Sequence, residues 1–184
     1  MYAVQLTADA ELRPLEPWRA AEFLAHVQKA RPHIEEYIPW AGIVVDEQSA
    51  RDFLQRYADR VAADSGRIDG IWLSGELVGG ILFRTFDKAF GSCELGVWLT
   101  AEAQGRGLVG RATQHLIDWA VGERGMHRVE WRCVPSNEPS KAVAKRLGMS
   151  LDGTLRQAFP FRGKLLDVEV WSLLRHEWDH RHWA

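Results

Sequence analysis

The chain is poor in cysteine, with two thiols, Cys93 and Cys133, in 184 residues. They lie far apart, in apolar surroundings and without metal-ligand spacing. That excludes a disulfide-stapled scaffold and a zinc ribbon, and reads as two buried free thiols in a reducing compartment. No apolar run approaches the roughly 18 residues of a membrane-spanning helix, and Met1–Leu12 lacks the basic-then-apolar order of a secretory signal. There is no surplus of positive charge either: the formal net charge is −2, which argues against a nucleic-acid surface. Internal repeats, linkers and low-complexity segments are missing. These absences predict one cytoplasmic domain over residues 1–184, with no nucleic-acid and no membrane partner. Tryptophan, in contrast, is abundant. Most of the nine fill a core, and some are available to a cleft or a self-association surface.

Periodicity gives the order β-α-α-β-β-β-α-β-α-β-β, a mixed α+β layout on one central sheet. Residues 1–16 read as one short strand around Glu11–Leu15. A helix starts at Pro17-Trp18 and runs to about Lys29, with Trp18, Ala21, Phe23, Leu24 and Val27 apolar. The prolines in Arg31–Trp40 leave a short helix or turn over Ile34–Tyr37. Asp46 caps a helix over Glu47–Ala63, whose apolar face is Ala50, Phe53, Leu54, Tyr57 and Val61. Three strand-like runs, Arg67–Leu73, Leu77–Phe86 and Phe90–Leu99, are joined by short turns and form a meander. A glycine loop, a helix closed by Gly125 and a strand Arg128–Val134 follow. Pro135-Ser136-Asn137 is a turn and helix start, and the helix continues over Ser140–Leu147 to a stop at Gly148, ahead of strands Met149–Phe159 and Leu165–Leu174.

Three motifs compete. Gly105-x-Gly107-x-x-Gly110, with Glu130 downstream, matches the dinucleotide fingerprint and would suggest an oxidoreductase. The strands before it form hairpins rather than βαβ units, Glu130 falls in mid-strand, and too little chain follows for a substrate domain. No Lys-Ser/Thr follows the glycines, so a triphosphate P-loop is excluded. His176-Glu177-x-x-His180 matches the zinc-protease signature, but it lies at the end of the sequence with no third ligand at the right spacing. It reads as a solvated histidine-rich segment, and no metal is expected. What remains is an ordered series. The run Glu94–Leu99 leads into Gln104-x-x-Gly107 at a helix head, followed by Asn137-x-x-Ser140, Val143 and Leu147-Gly148-Met149. Asp152-Gly153-x-Leu155-Arg156 and Asp167 come after.

In this series the chain resembles the GNAT acyltransferase superfamily, and within it the RimJ/RimL-type ribosomal-protein N-acetyltransferases, over about residues 9–175. The resemblance implies a mixed, mostly antiparallel central sheet flanked by helices and splayed at the cofactor site. It implies an N-acyltransferase that moves an acetyl or other short acyl group from acetyl-coenzyme A, or another acyl-coenzyme A, to a primary amine by direct attack. That amine is either a protein N-terminus or a small molecule. Gln104, Gly105, Arg106, Gly107, Leu108, Val109 and Gly110 would cradle the pyrophosphate. The family usually has glycine or alanine where Val109 stands, and a valine amide still donates. Trp98 and Leu99 would pair with the pantetheine through their backbone, and Asn137 would bond its arm. Ser140 would contact the cofactor and give a proton to the departing thiolate, with Glu94 the first candidate base. Asp167 and Glu169, on one face of a late strand, are second choices for the base, and Trp40, Asp167 and, less directly, Trp72 and Glu35-Glu36 are the acceptor-side candidates. Out of context, Asn137 reads first as a helix cap and Ser140 as a helix-surface residue, and Trp40 reads equally as core. Family members often form homodimers. A noncatalytic acyl-coenzyme A binding module is the rival from another functional class.

Overall fold

The computed structural model describes residues 3–179. In chain order the elements are β1 (Val4–Thr7), β2 (Ala10–Pro14), α1 (Ala20–Ile34), α2 (Glu47–Ala62), β3 (Ile68–Leu73), β4 (Glu76–Asp87), β5 (Ser92–Leu99), α3 (Leu108–Asp118), β6 (Arg128–Cys133), α4 (Glu138–Arg146), β7 (Ser150–Phe161), β8 (Lys164–Leu174) and α5 (Arg175–Asp179). The strands make one eight-stranded sheet of order β1-β2-β3-β4-β5-β6-β8-β7. β5 and β6 are parallel, and the other described pairings are antiparallel. The α+β reading, with a mixed and mostly antiparallel sheet, is therefore the observed one. The chain divides into two compact units. The first takes the chain up to Phe83 with Val97–Ala112; the second takes Arg84–Gly96 and the chain from Thr113 onward.

In the first unit, α1 and α2 cover a core in which Phe23, Val27, Ile34, Phe53 and Leu54 meet Trp72, Leu77, Leu82 and Trp98. Each fully buried large apolar side chain contributes about 2 kcal/mol of transfer free energy. α2 begins as its sequence dictates: the Asp46 carboxylate accepts from the Ser49 amide at 2.7 Å, and the Ser49 hydroxyl accepts from the Asp46 amide. The hairpin β3–β4 turns at Ser74 and Gly75, both at positive φ as a two-residue turn with this twist requires.

Three local readings need correction. The first sixteen residues hold a hairpin, β1–β2, rather than one strand. β1 carries a single buried residue, Leu6, too little alternation to reveal a strand. α1 does not end near Lys29 but continues through Pro32 to Ile34. Proline in the last turn forfeits one backbone bond. Burial of Ile34 offsets this, together with the Arg31 guanidinium, which donates to the carbonyls of Ala41 and, at 2.7 Å, Val44. Val61 and Trp18, expected on apolar faces, are exposed; Val61 lies one turn beyond the last core residue of α2.

In the second unit, β6 runs beside β8, and β8 beside β7. Alternation buries Val129, Trp131 and Cys133 on one face of β6, leaving Arg128, Glu130 and Arg132 on the other. β7 carries a bulge of two extra residues between Leu155 and Phe159, opposite Val168 and Leu166. Cys93 and Cys133 are free, buried thiols, as read from the sequence. No helix among the described residues is long and apolar enough to cross a membrane.

Candidate active site

The first unit supplies a strand end and a loop. β4 carries two adjacent glycines in mid-strand, where glycine is ordinarily a loss. Here close approach requires both. A Cβ on Gly79 would lie 2.4 Å from the Trp98 carbonyl oxygen, and one on Gly80 would lie 2.3 Å from the Trp98 ring. The Trp98 indole is buried, edge-on to Trp40 at 5.1 Å between centroids and to Phe23 at 6.3 Å. Its Nε1–H donates to His26 Nε2 at 2.9 Å, and His26 Nδ1 lies 2.9 Å from the Leu77 carbonyl. The indole can only donate, so the imidazole must be neutral with its proton on Nδ1. Burial pushes His26 down to about 4; the Leu77 carbonyl opposes this and Lys29 reinforces it. The Thr100 amide then donates to the Val78 carbonyl at 2.8 Å, fixing where the chain leaves β5.

Beyond this exit, Gln104 extends its side-chain amide to His33 Nε2 at 2.6 Å. Gly105 and Gly107 adopt φ of +76° and +72°, which L side chains resist. Gly107 accepts the first helical bond, from the Arg111 amide at 3.1 Å, so α3 starts at Leu108. The amides of Leu108, Val109 and Gly110 therefore have no carbonyl one turn back within the helix. Leu108 is buried and Val109 half-buried, anchoring the head of the helix, while Arg106 and the glycines are exposed. Gly110 has neither a positive φ nor a crowded Cβ.

The second unit holds two polar centres of its own. Asn137 caps α4: its Oδ1 accepts from the Ser140 amide at 3.1 Å. Trp131 Nε1–H donates to Ser140 Oγ at 2.8 Å, so the serine uses a lone pair there and keeps its own proton to give. Cys133 is the near neighbour. Burial pushes its thiol up, and a hydrogen bond with Ser140 pulls it partly back. Burial pushes Cys93 up to about 12, which removes it as a nucleophile.

Glu94 is the second centre. It is 5% exposed, facing Glu130 across the parallel β5–β6 pairing. Arg84 Nε lies 3.3 Å from its Oε1 and Arg132 Nε 3.8 Å from its Oε2. Neither contact gives Oε1 a well-formed hydrogen bond, and it is a buried oxygen without one among the described residues. Burial raises its pKa, Arg84 and Arg132 oppose the rise, and Glu130 adds to it. Glu130 behaves oppositely. Burial works against its charge, but hydrogen bonds from Arg128 and Arg132, each at 2.8 Å, hold it below the usual range. Two adjacent glutamates are thus driven apart in proton affinity, as acid–base sites require.

Trp40, Asp167, Glu169 and Trp72 have structural partners. Trp40 packs on Phe23, Phe53 and Trp98 and is half-buried. The exposed Asp167 accepts from the Gln157 amide at 2.8 Å, holding the β7 bulge where Gln157 has φ +52°. Glu169 accepts from Trp171 Nε1 at 3.0 Å. Trp72 is buried and donates to Glu22 at 2.7 Å. Of the zinc-like motif, Glu177 accepts from the Leu174 amide at 2.8 Å, while His180 lies outside the described residues. No group of potential metal ligands is gathered among the described residues. Gly79, Gly80 and His26 were not singled out in the sequence. A Gly-Gly pair inside a strand pattern was the available signal for the first two.

The positive-φ glycines and free amides at the head of α3 fit a phosphate-bearing cofactor, and residues 10–150 match the acetyltransferase (GNAT) domain family. The chain belongs to the GNAT acetyltransferases. An uncharacterized N-acetyltransferase, p20, of Bacillus licheniformis is 30% identical over 72% of this chain and 76% of its own. The ribosomal-protein-serine acetyltransferase of Escherichia coli (strain K12) is 28% identical over 92% and 94%. RimL, a ribosomal L7/L12 alpha-N-protein acetyltransferase solved with coenzyme A, shares the fold at a TM-score of 0.88 and 21% identity, covering 94% of this chain and 97% of that one. As a GNAT acetyltransferase the chain draws its acetyl group from acetyl-coenzyme A and passes it to an amine. The dinucleotide reading of the glycine loop is thereby set aside.

Proposed function

We propose that this GNAT acetyltransferase works in the cytoplasm as a single domain and acetylates the α-amine of a protein N-terminus. The observation that carries the cofactor reading is the head of α3. Two left-handed glycines end in three helix-start amides, with the exposed Arg106 alongside. Gln104 through Gly110 hold the pyrophosphate, the backbone of Trp98 and Leu99 aligns the pantetheine, and Asn137 bonds its arm. The bound cofactor supplies the acetyl thioester. Glu94 accepts a proton from the amine, directly or through water, and Ser140 gives one to the departing sulfur. Trp40 and Asp167 border the acceptor. An α-amine suits a weak base: its ordinary pKa is about 7.7–8.0, against about 10.4 for lysine. The ribosomal-protein acetyltransferases among the similar proteins support this choice of acceptor.

The test is thiol release from acetyl-coenzyme A against N-terminal peptides, polyamines and free amino acids. Turnover fastest on peptides with free N-termini is expected. Saturable cofactor binding with no turnover on any amine would favour a noncatalytic binding module instead.

Ser140→Ala should lower kcat on the order of 10²-fold, with the KM for acetyl-coenzyme A near wild type, read by the same assay. It should also cost about 1–2 kcal/mol in urea unfolding, because Trp131 Nε1–H loses its acceptor.

A further inference from the structure

α1 carries a polar row that the reaction scheme does not use. His26, Lys29 and His33 recur at spacings of three and four residues, so they lie along one stripe at the border of the buried face. Each ends on a different part of the cofactor-side architecture of the first unit. His26 ties the Leu77 carbonyl of β4 to the Trp98 indole of β5, each at 2.9 Å. Lys29 pairs with Glu76, the first residue of β4, at 2.7 Å. His33 accepts from the Gln104 side chain, at the entrance to the glycine loop, at 2.6 Å. The strand end is thus held in place by helix side chains, because Gly79 and Gly80, which lie against it, have no side chains to do so.

We propose that this row positions the cofactor site: His26 sets the end of β5, where the pantetheine aligns, and His33 sets Gln104 and the turn into the glycine loop. These are positioning residues, and the inference rests on the cofactor reading given above. A neutral imidazole at 26 both accepts and donates, and a glutamine amide does the same. Leucine does neither.

Calorimetric titration of acetyl-coenzyme A into the wild type, His33→Ala, His26→Leu and His26→Gln tests it, with thermal midpoints measured alongside. His33 is exposed, so His33→Ala should keep the wild-type midpoint yet bind about fivefold more weakly. His26→Leu should bind tenfold more weakly or worse. His26→Gln should recover most of that affinity. Wild-type affinity in both His33→Ala and His26→Leu would overturn the assignment, as would a His26→Gln variant no better than His26→Leu. A wild-type protein that does not bind acetyl-coenzyme A at all would overturn the cofactor reading itself, a result distinct from either.

Discussion

Glu94→Gln is expected to lower kcat on the order of 10²-fold or more while leaving the thermal midpoint unchanged or slightly raised. The two effects separate because the buried carboxylate is costly to ionise. Burial raises its pKa, and the arginines that oppose the rise are themselves exposed, Arg84 at 55% and Arg132 at 40% of their side chains. An amide of the same shape removes the cost and strands no buried cation. The sign with pH follows. A carboxyl whose folded pKa lies above its unfolded one contributes stability that is complete below the unfolded pKa and is lost as pH rises through the folded value. Activity runs the other way, since only the carboxylate accepts a proton. kcat/KM should therefore climb on a limb above the ordinary carboxylate range, and that limb should disappear in Glu94→Gln. A variant that unfolds early but turns over normally would reduce Glu94 to a structural role.

Gly79→Ala and Gly80→Ala should each cost about 3 kcal/mol or more, lowering the midpoint by about 6–12 °C. The contacts predict a difference between them. At position 80 the nearest obstacle is the Trp98 ring, with the Asp69 carbonyl oxygen behind it at 2.7 Å, so adding Trp98→Leu should return part of the lost stability relative to Trp98→Leu alone. At position 79 it is the Trp98 carbonyl oxygen, which no side-chain change removes. Gly110→Ala, in open space on a helical backbone, should be neutral or stabilising by about 0.5–1 kcal/mol. Calorimetric midpoints of the single variants and of the two glycine changes in the Trp98→Leu background decide the matter. Equal behaviour at 79 and 80 in the Trp98→Leu background would refute the contact account.

Much of the fold was legible because its signals are local. Asp46 and Ser49 three residues apart, Gly125 and Gly148 past helix ends, and the alternation of Val129, Trp131 and Cys133 each act within a few residues. The loop 104–110 was legible for the same reason. What escaped depends on distant partners. Pro32 looks like a helix stop until Arg31 is seen bonding Ala41 and Val44. His26 on an apolar helix stripe gives no hint of Leu77 and Trp98, some fifty and seventy residues away. Asp167 reads as a cleft carboxylate from its place in the ordered series and on its strand face, yet it accepts from the Gln157 amide and supports a strained backbone turn there. Glu94 stood out as a lone acid in an apolar run, but nothing local separates it from Glu130. Each faces two arginines; what separates them is that Glu130 is bonded by its pair at 2.8 Å, while Glu94, more deeply buried, meets its pair only at 3.3 and 3.8 Å.

That difference in contact has a consequence for the medium in which the protein works. Glu130 is secured by short hydrogen bonds, which dissolved ions scarcely disturb. Glu94 is restrained mainly by the longer-range field of two solvent-facing guanidinium groups, which an ionic atmosphere with a Debye length of about 10 Å at 0.1 M weakens. Added salt should therefore push Glu94 further up and shift the acid side of the activity profile toward neutrality, leaving its neighbour in place. The proton affinity of one glutamate becomes a readout of ionic strength, calibrated by the other beside it.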